Sequence, residues 1–342
     1  MSTANVPFFK HAEPDAAWLL RLQEDILEPD LPIVDPHHHL WDRSGGYFLN
    51  EILADMNAGH NIAATVFVQC GYGYRSSGPE ALRPVGETEF VTALAEEGDA
   101  RGARTRICAG IVGYANLLLG DEVDAVLQAH IEAGHGRFRG IRHLSARDDS
   151  FLASLLPPPP LQLLGDPVFR AGFARLSAFN LSYDAWLYHT QIDELTALAR
   201  AFPQTPIVLN HAGGPLGVGP YQGKRDAVFK HWLAGIKTLA SCPNVTVKLG
   251  GLAMAITGFE FHKAPLPPSS GELANAWRPY FEACIEHFGP QRCMFESNAP
   301  VDMGMCSYPV LWNAYKRIAS GASSTEKAAL FHDTAASFYR LG

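Results

Sequence analysis

The sequence predicts an α/β chain folded as a distorted (β/α)8 TIM barrel with long loops at its C-terminal rim. Three observations predict it. Short apolar runs alternate with amphipathic stretches of helical period along the 342 residues, and eight such runs are present. Polar residues recur where those runs end, as they do where parallel strands converge on one rim. No Gly-rich dinucleotide turn follows the first run, which argues against a doubly wound open sheet.

Taken in order, residues 1–30 read as an N-terminal leader segment packed on the barrel, with one helix from Ala16 to Ile26. The barrel then occupies 31–342. Its strands are expected at 32–39, 63–69, 106–112, 138–143, 181–187, 207–211, 245–249 and 293–297. Helical stretches are expected at 87–97, 122–133, 192–201, 226–239 and 273–288. Three strand-to-helix connections are long: 71–86, 144–167 with Pro157-Pro158-Pro159-Pro160, and 251–272 with Pro265, Pro267 and Pro268. In a barrel all three crowd one rim, where long ordered loops cap a pocket.

Composition narrows the function. The 27 Lys and Arg against 35 Asp and Glu give a net charge of −8, which argues against nucleic acid or an anionic membrane as partner. A small-molecule substrate remains. The six cysteines (70, 108, 242, 284, 293 and 306) form no CxxC pair, and three sit inside apolar runs, so buried free thiols are expected. Together with a start that lacks a basic, then apolar, leader, they point to a reducing cytoplasm. No apolar run approaches the roughly 18 residues of a membrane span. The long loops and 24 prolines are compatible with a homo-oligomer such as a dimer.

The densest signal is Ile33-Val34-Asp35-Pro36-His37-His38-His39-Leu40-Trp41-Asp42. Alternation along a strand puts His37 and His39 on one face and His38 on the other. Two imidazoles on one face can hold a metal ion or polarise a carbonyl. The later strand ends add Gln69, Arg142-His143, Trp186 with His189, Asn210-His211, Lys248, and Glu296-Ser297-Asn298 with Asp302 beyond. His143, adjacent to Arg142, falls on the outer face if Arg142 falls on the inner. His60, His130, His135, His231, His287 and His332 fall in helices or loops and read as structural or surface groups.

These residues resemble the amidohydrolase superfamily, in its amidohydrolase-2 branch, from about Ile33 to Leu341. Four motifs carry the resemblance. Asp-Pro-His-His-His-Leu-Trp-Asp matches the first-strand HxH of the lactonase-like group; Gly140-Ile141-Arg142-His143 matches the fourth-strand Gly-Ile-Arg. Leu209-Asn210-His211-Ala212-Gly213-Gly214-Pro215 matches the sixth-strand His, and Met294-Phe295-Glu296-Ser297-Asn298-Ala299-Pro300-Val301 the eighth-strand Phe-Gly-Ser-Asp-x-Pro. The branch holds lactonases for sugar lactones and 2-pyrone-4,6-dicarboxylate, and metal-dependent decarboxylases. This chain departs from it at the eighth strand, with Asn298 where the family has Asp and Glu296 where it has Gly. Asn cannot serve as a base near neutral pH. Glu296, two residues earlier and so on the same face but about 7 Å deeper, is one replacement; Asp302 is another. Glu296 can instead pair with Lys248 or Arg142.

The resemblance implies a hydrolase that opens a lactone of a sugar acid or of an aromatic-degradation intermediate. His37, His39 and His211 would polarise the ester carbonyl, directly or through one bound Zn or Mn ion that those three would ligate; metal-independent action is equally compatible. Glu296, or a water held by Asn298, would act as base. Arg142 would grip a substrate carboxylate. Gln69, Arg75, Trp186 and His189 would line the rest of the pocket. The alternatives are a metal-dependent decarboxylase of an aromatic or unsaturated acid, and a catalytically impaired barrel that binds a ligand. A Glu296 carboxylate aimed at His37 or His211 favours retained chemistry.

Overall fold

The computed structural model describes residues 10–151 and 158–342. Eight strands form one sheet in chain order: β1 (Pro32–His38), β2 (Asn61–Val68), β3 (Arg106–Gly113), β4 (Phe138–Ile141), β5 (Ser182–Ala185), β6 (Ile207–Leu209), β7 (Val245–Leu249) and β8 (Cys293–Phe295). Every neighbouring pair is parallel. The cylinder is drawn together where His39 N donates to Ala299 O at 2.8 Å, alongside a parallel bridge of His38 with Ala299. This is the expected (β/α)8 barrel, and each strand falls within or beside its expected run.

The helices are α1 (Ala16–Leu19), α2 (Leu49–Met56), α3 (Val85–Ala100), α4 (Asp124–Ala133), α5 (Pro167–Ala178), α6 (Ile192–Ala201), α7 (Arg225–Ala240), α8 (Ser270–Phe288), α9 (Tyr308–Ile318), α10 (Ser324–Ala328) and α11 (Thr334–Phe338). Three long ones, α2, α5 and α9, were not expected. The first turn of α5 follows the proline-rich stretch, of which Pro157 lies outside the described residues. Its start is written locally: Asp166 accepts from the amides of Val168 and Phe169, and Pro167 takes the first position, where its missing N–H is no loss. The leader helix is a correction. It is one turn, not eleven residues, because Trp18 Nε1 donates to Ala264 O (3.1 Å) and Arg21 Nη1 to Pro265 O (2.8 Å), which holds the next residues along the barrel instead of in a coil.

Two layers make the core. Outside the barrel, Trp232 of α7, Trp277 of α8 and Trp312 of α9 are fully buried. Each contributes on the order of 2–3 kcal/mol by leaving water. Inside it, Val34, Val66, Val208 and Met294 meet Ala335 and Tyr339 from α11 and the residue after it. That C-terminal segment plugs the end where strands begin, since Arg106, the first residue of β3, donates to Gly342 O at 2.7 Å. The opposite end stays open. All six cysteines are free, and among the described residues no helix is long and apolar enough to cross a membrane.

Candidate active site

The end of β1 sets the site. Pro36 cannot donate to the ladder, and the register with β2 shifts between Asp35 and His38. His38 turns outward to Thr65, Nε2 to Oγ1 2.9 Å. His37 and His39 remain together, ring centroids 5.0 Å apart. Asp35 fastens this end to that of β8: its carboxylate accepts from Ser297 N (3.0 Å) and from the Tyr308 hydroxyl (3.1 Å).

Glu296 stands between two histidines. Its Oε1 accepts from His211 N (3.0 Å) and lies 2.7 Å from His211 Nδ1; its Oε2 lies 2.7 Å from His37 Nδ1. The backbone makes room for this. Gly250 and Gly251 follow β7; a Cβ on Gly250 would fall 2.4 Å from Glu296 Cγ, and one on Gly251 2.5 Å from His211 Cβ. His211 itself turns back sharply after β6, at φ 55°. Burial pushes the Glu296 carboxyl up to about 8, against the pull of Lys248 and of the His211 amide. Burial likewise drives His37, His39 and His211 well below the ordinary imidazole range, helped by Lys248 at His37 and by Arg142 at the other two. All three are neutral at pH 7.

Below them lies a buried cation network that the sequence only half revealed. Lys248 Nζ donates to Asp184 Oδ2 (2.7 Å) and Pro36 O (2.9 Å), and sits 3.2 Å from His37 Nδ1. Asp184, on β5, also accepts from the Tyr339 hydroxyl. Arg142 Nη1 reaches His37 Nε2 at 3.3 Å. A cationic donor thus stands beside each ring nitrogen of His37, with Glu296 Oε2 also at Nδ1, and the two cations disfavour the imidazolium relative to the neutral ring with its single N–H. Arg142 Nε donates to Gln69 Oε1 (3.0 Å), and Nη2 to Gln69 O. Each Arg142 nitrogen thus has one partner within the protein, which leaves two of the five guanidinium N–H groups, and the residue lines the cavity above.

A cavity of about 260 Å³ opens over this floor. Its lining includes the expected His39, Gln69, Arg142, Trp186, His211 and Asn298, with His37 and Glu296 buried beneath. It also includes His11, Trp41, Arg43 and Cys70, none of which was assigned to a site from sequence. His39 donates through Nδ1 to Val68 O (2.7 Å) and stacks on Trp41. Trp186 meets His211 edge to face at 4.7 Å. Asn298 donates to Asp302 Oδ1 (2.8 Å), and burial pushes Asp302 up to about 8.

Two expected substrate contacts fall outside. Arg75 is half-buried and paired with Glu89, Nε to Oε2 3.1 Å, away from the cavity lining. His189 is buried away from the lining; its Nδ1 accepts from Leu216 N (3.4 Å) and its ring packs against Tyr221 and His231. His143 likewise faces Tyr114 and Phe169.

The donor set suits a divalent metal ion. One ligand atom from each of His37, His211 and Glu296 lies within 4.8 Å of the others. Two neutral imidazoles and one carboxylate are a familiar catalytic zinc set. Glu296 Oε2 is buried and has no aligned hydrogen-bond donor despite its closeness to His37. Of the expected trio, His37 and His211 fall in this group with Glu296, while His39 lines the cavity with its Nδ1 held by Val68 O, which leaves Nε2 as its second ring nitrogen.

An eight-stranded parallel barrel whose rim gathers imidazoles, a raised carboxyl and a cavity is the architecture of a barrel enzyme. The family follows: the Amidohydrolase model matches residues 34–341, and the chain belongs to that family. It is 34% identical to the uncharacterized protein y4mH of Sinorhizobium fredii, over 91% of this chain and 99% of that one. It is 26% identical to an L-fucono-1,5-lactonase of Burkholderia multivorans, over 90% and 96% of the two chains. The crystal structure of a Burkholderia multivorans amidohydrolase with bound zinc superposes with a TM-score of 0.70 at 25% identity, covering 91% of this chain and 99% of that one.

Proposed function

We propose that the protein is a lactonase, hydrolysing the cyclic ester of a sugar acid or of an aromatic-degradation intermediate. The observation that carries this is the Glu296 carboxyl between His37 and His211, beneath the cavity. A group poised near neutrality can take a proton from water and return it. The resemblance to an L-fucono-1,5-lactonase supports the same reading.

The reaction adds water oxygen to the lactone carbonyl carbon and breaks the ring C–O bond. Glu296 takes a proton from the attacking water and gives one to the departing ring oxygen. Arg142 and Lys248 supply the positive field for the oxyanion that develops meanwhile. Trp41 and Trp186 supply apolar surface to the cavity that would hold the substrate ring. Arg142 and Arg43, the latter above the Trp41 ring at 4.8 Å, are the two cations of the lining that would receive a substrate carboxylate. A divalent ion, zinc or manganese, held by His37, His211 and Glu296 would supply Lewis acidity and a more acidic water. The aim of Glu296 at both histidines also speaks against a barrel that binds without catalysis.

The test is a panel of sugar lactones, including L-fucono-1,5-lactone, and aromatic lactones at neutral pH, with and without zinc or manganese. Hydrolysis of at least one, with kcat/KM at or above about 10⁴ M⁻¹s⁻¹, is expected. A panel left intact under every metal condition refutes the assignment.

A further inference from the structure

The barrel does not build its pocket alone. The leader segment runs as a strap along its outside toward the open rim. Lys316 of α9 donates to Leu27 O (2.7 Å), and Leu27 N donates to Asn313 Oδ1 (2.9 Å). Glu24 accepts from Ser270 N at the start of α8 (2.7 Å). Arg21 and Trp18 then fasten to the β7–α8 loop, as described. The strap ends against Gly304 in the β8–α9 loop, so tightly that a Cβ there would fall 2.0 Å from Ala12 O. The next residue is His11, and it lines the same cavity as His39, Arg142 and His211.

Three observations give His11 a task. It is half-buried and lines the cavity, although it precedes the family match, which begins at residue 34. Burial is the main cause that holds its ring down to about 4, so it is neutral at pH 7. Whichever ring nitrogen a neutral imidazole turns to the cavity, a hydroxyl can answer it as donor or acceptor, whereas a carboxylate can only accept. The anchored strap has also already met the entropic cost of presenting that ring.

We infer that His11 is a substrate-contacting residue, delivered by the N-terminal strap, that hydrogen-bonds a hydroxyl of a polyhydroxylated lactone opposite Arg43. This rests on the lactonase reading and narrows it toward sugar lactones. His11 determines specificity and does not transfer the reacting proton.

The experiment compares wild type with His11→Ala, His11→Gln and Gly304→Val on sugar lactones and on an aromatic lactone without ring hydroxyls. His11→Ala raises KM for the sugar lactone about tenfold with kcat far less affected, and leaves the aromatic lactone unchanged. His11→Gln, which keeps a donor and an acceptor, recovers part of the loss. Gly304→Val, which dislodges the strap, matches His11→Ala. Unaltered KM in His11→Ala, or equal losses on both substrate types, overturns the inference. If wild type opens no lactone, the functional assignment fails and seating of the strap decides this one: diethyl pyrocarbonate should modify His11 more slowly than the exposed His135, and Gly304→Val should abolish the difference. Equal rates in wild type overturn the inference on their own.

Discussion

Lys248 and Asp184 form an ion pair with no solvent exposure, Nζ to Oδ2 2.7 Å, directly beneath His37. Removing one member leaves a buried charge without its counter-ion. Lys248→Met is expected to destabilise the fold by about 3–5 kcal/mol, and Lys248→Met combined with Asp184→Asn by clearly less than the two single changes added together. Urea unfolding of the three variants measures this. Strict additivity would show that the two groups do not interact as the geometry implies.

Glu296→Gln keeps the side-chain volume and an oxygen for the His211 amide, but it cannot ionise. The expected outcome is a fall in kcat of at least about 10²-fold on whichever lactone wild type opens. Stability at pH 7 should hold or rise, because burial works against the charged carboxyl. Steady-state kinetics and a thermal melt on the same preparation check both halves. Near-wild-type kcat would remove Glu296 from the chemistry.

Much of this was legible in sequence, for physical reasons. Strands buried on both faces read as apolar runs, so β7 (Val245–Leu249) was placed to the residue. The His37–His39 pairing followed from alternation alone. The pairing of Glu296 with two histidines was open, because it depends on the close approach that Gly250 and Gly251 allow. Asp184 carried no signal: a lone Asp in a four-residue strand has no spacing to read. Arg75 was misplaced because its partner Glu89 lies on α3, a contact that loop composition does not encode. His11 reaches the pocket only by the path of the strap, which no local pattern specifies.

Gly251 has φ +69° and no space for a Cβ beside His211. Gly251→Ala combines backbone strain with overpacking and should cost about 1–3 kcal/mol, with a parallel loss of kcat as His211 is displaced. Gly321→Ala is the control, since a Cβ there meets nothing within 4 Å. Denaturant midpoints and activities of the two variants test the contrast; equal behaviour would show that the β7 end does not position His211.

His130 supplies a test remote from the site. Its Nδ1 pairs with Thr88 Oγ1 (2.8 Å) and its Nε2 with Tyr114 O (2.9 Å), and its ring stacks on Phe138. Burial lowers its pKa from 6.5 to about 4. The folded value is depressed, so the stabilisation is fully present above pH 6.5 and is lost as pH falls through about 4. At 1.36 kcal/mol per unit, the interval is worth about 3 kcal/mol. Asp35 and Asp55, both raised by burial to about 6, titrate in the opposite sense and partly mask this in wild type alone. The difference between wild type and His130→Gln isolates it. That gap should be widest at pH 7 and shrink by about 2–3 kcal/mol at pH 4.5, because only wild type carries the ring that protonates on unfolding. Urea titrations of both proteins at the two pH values measure it, and a gap that does not change with pH would show that His130 is not held neutral by its burial.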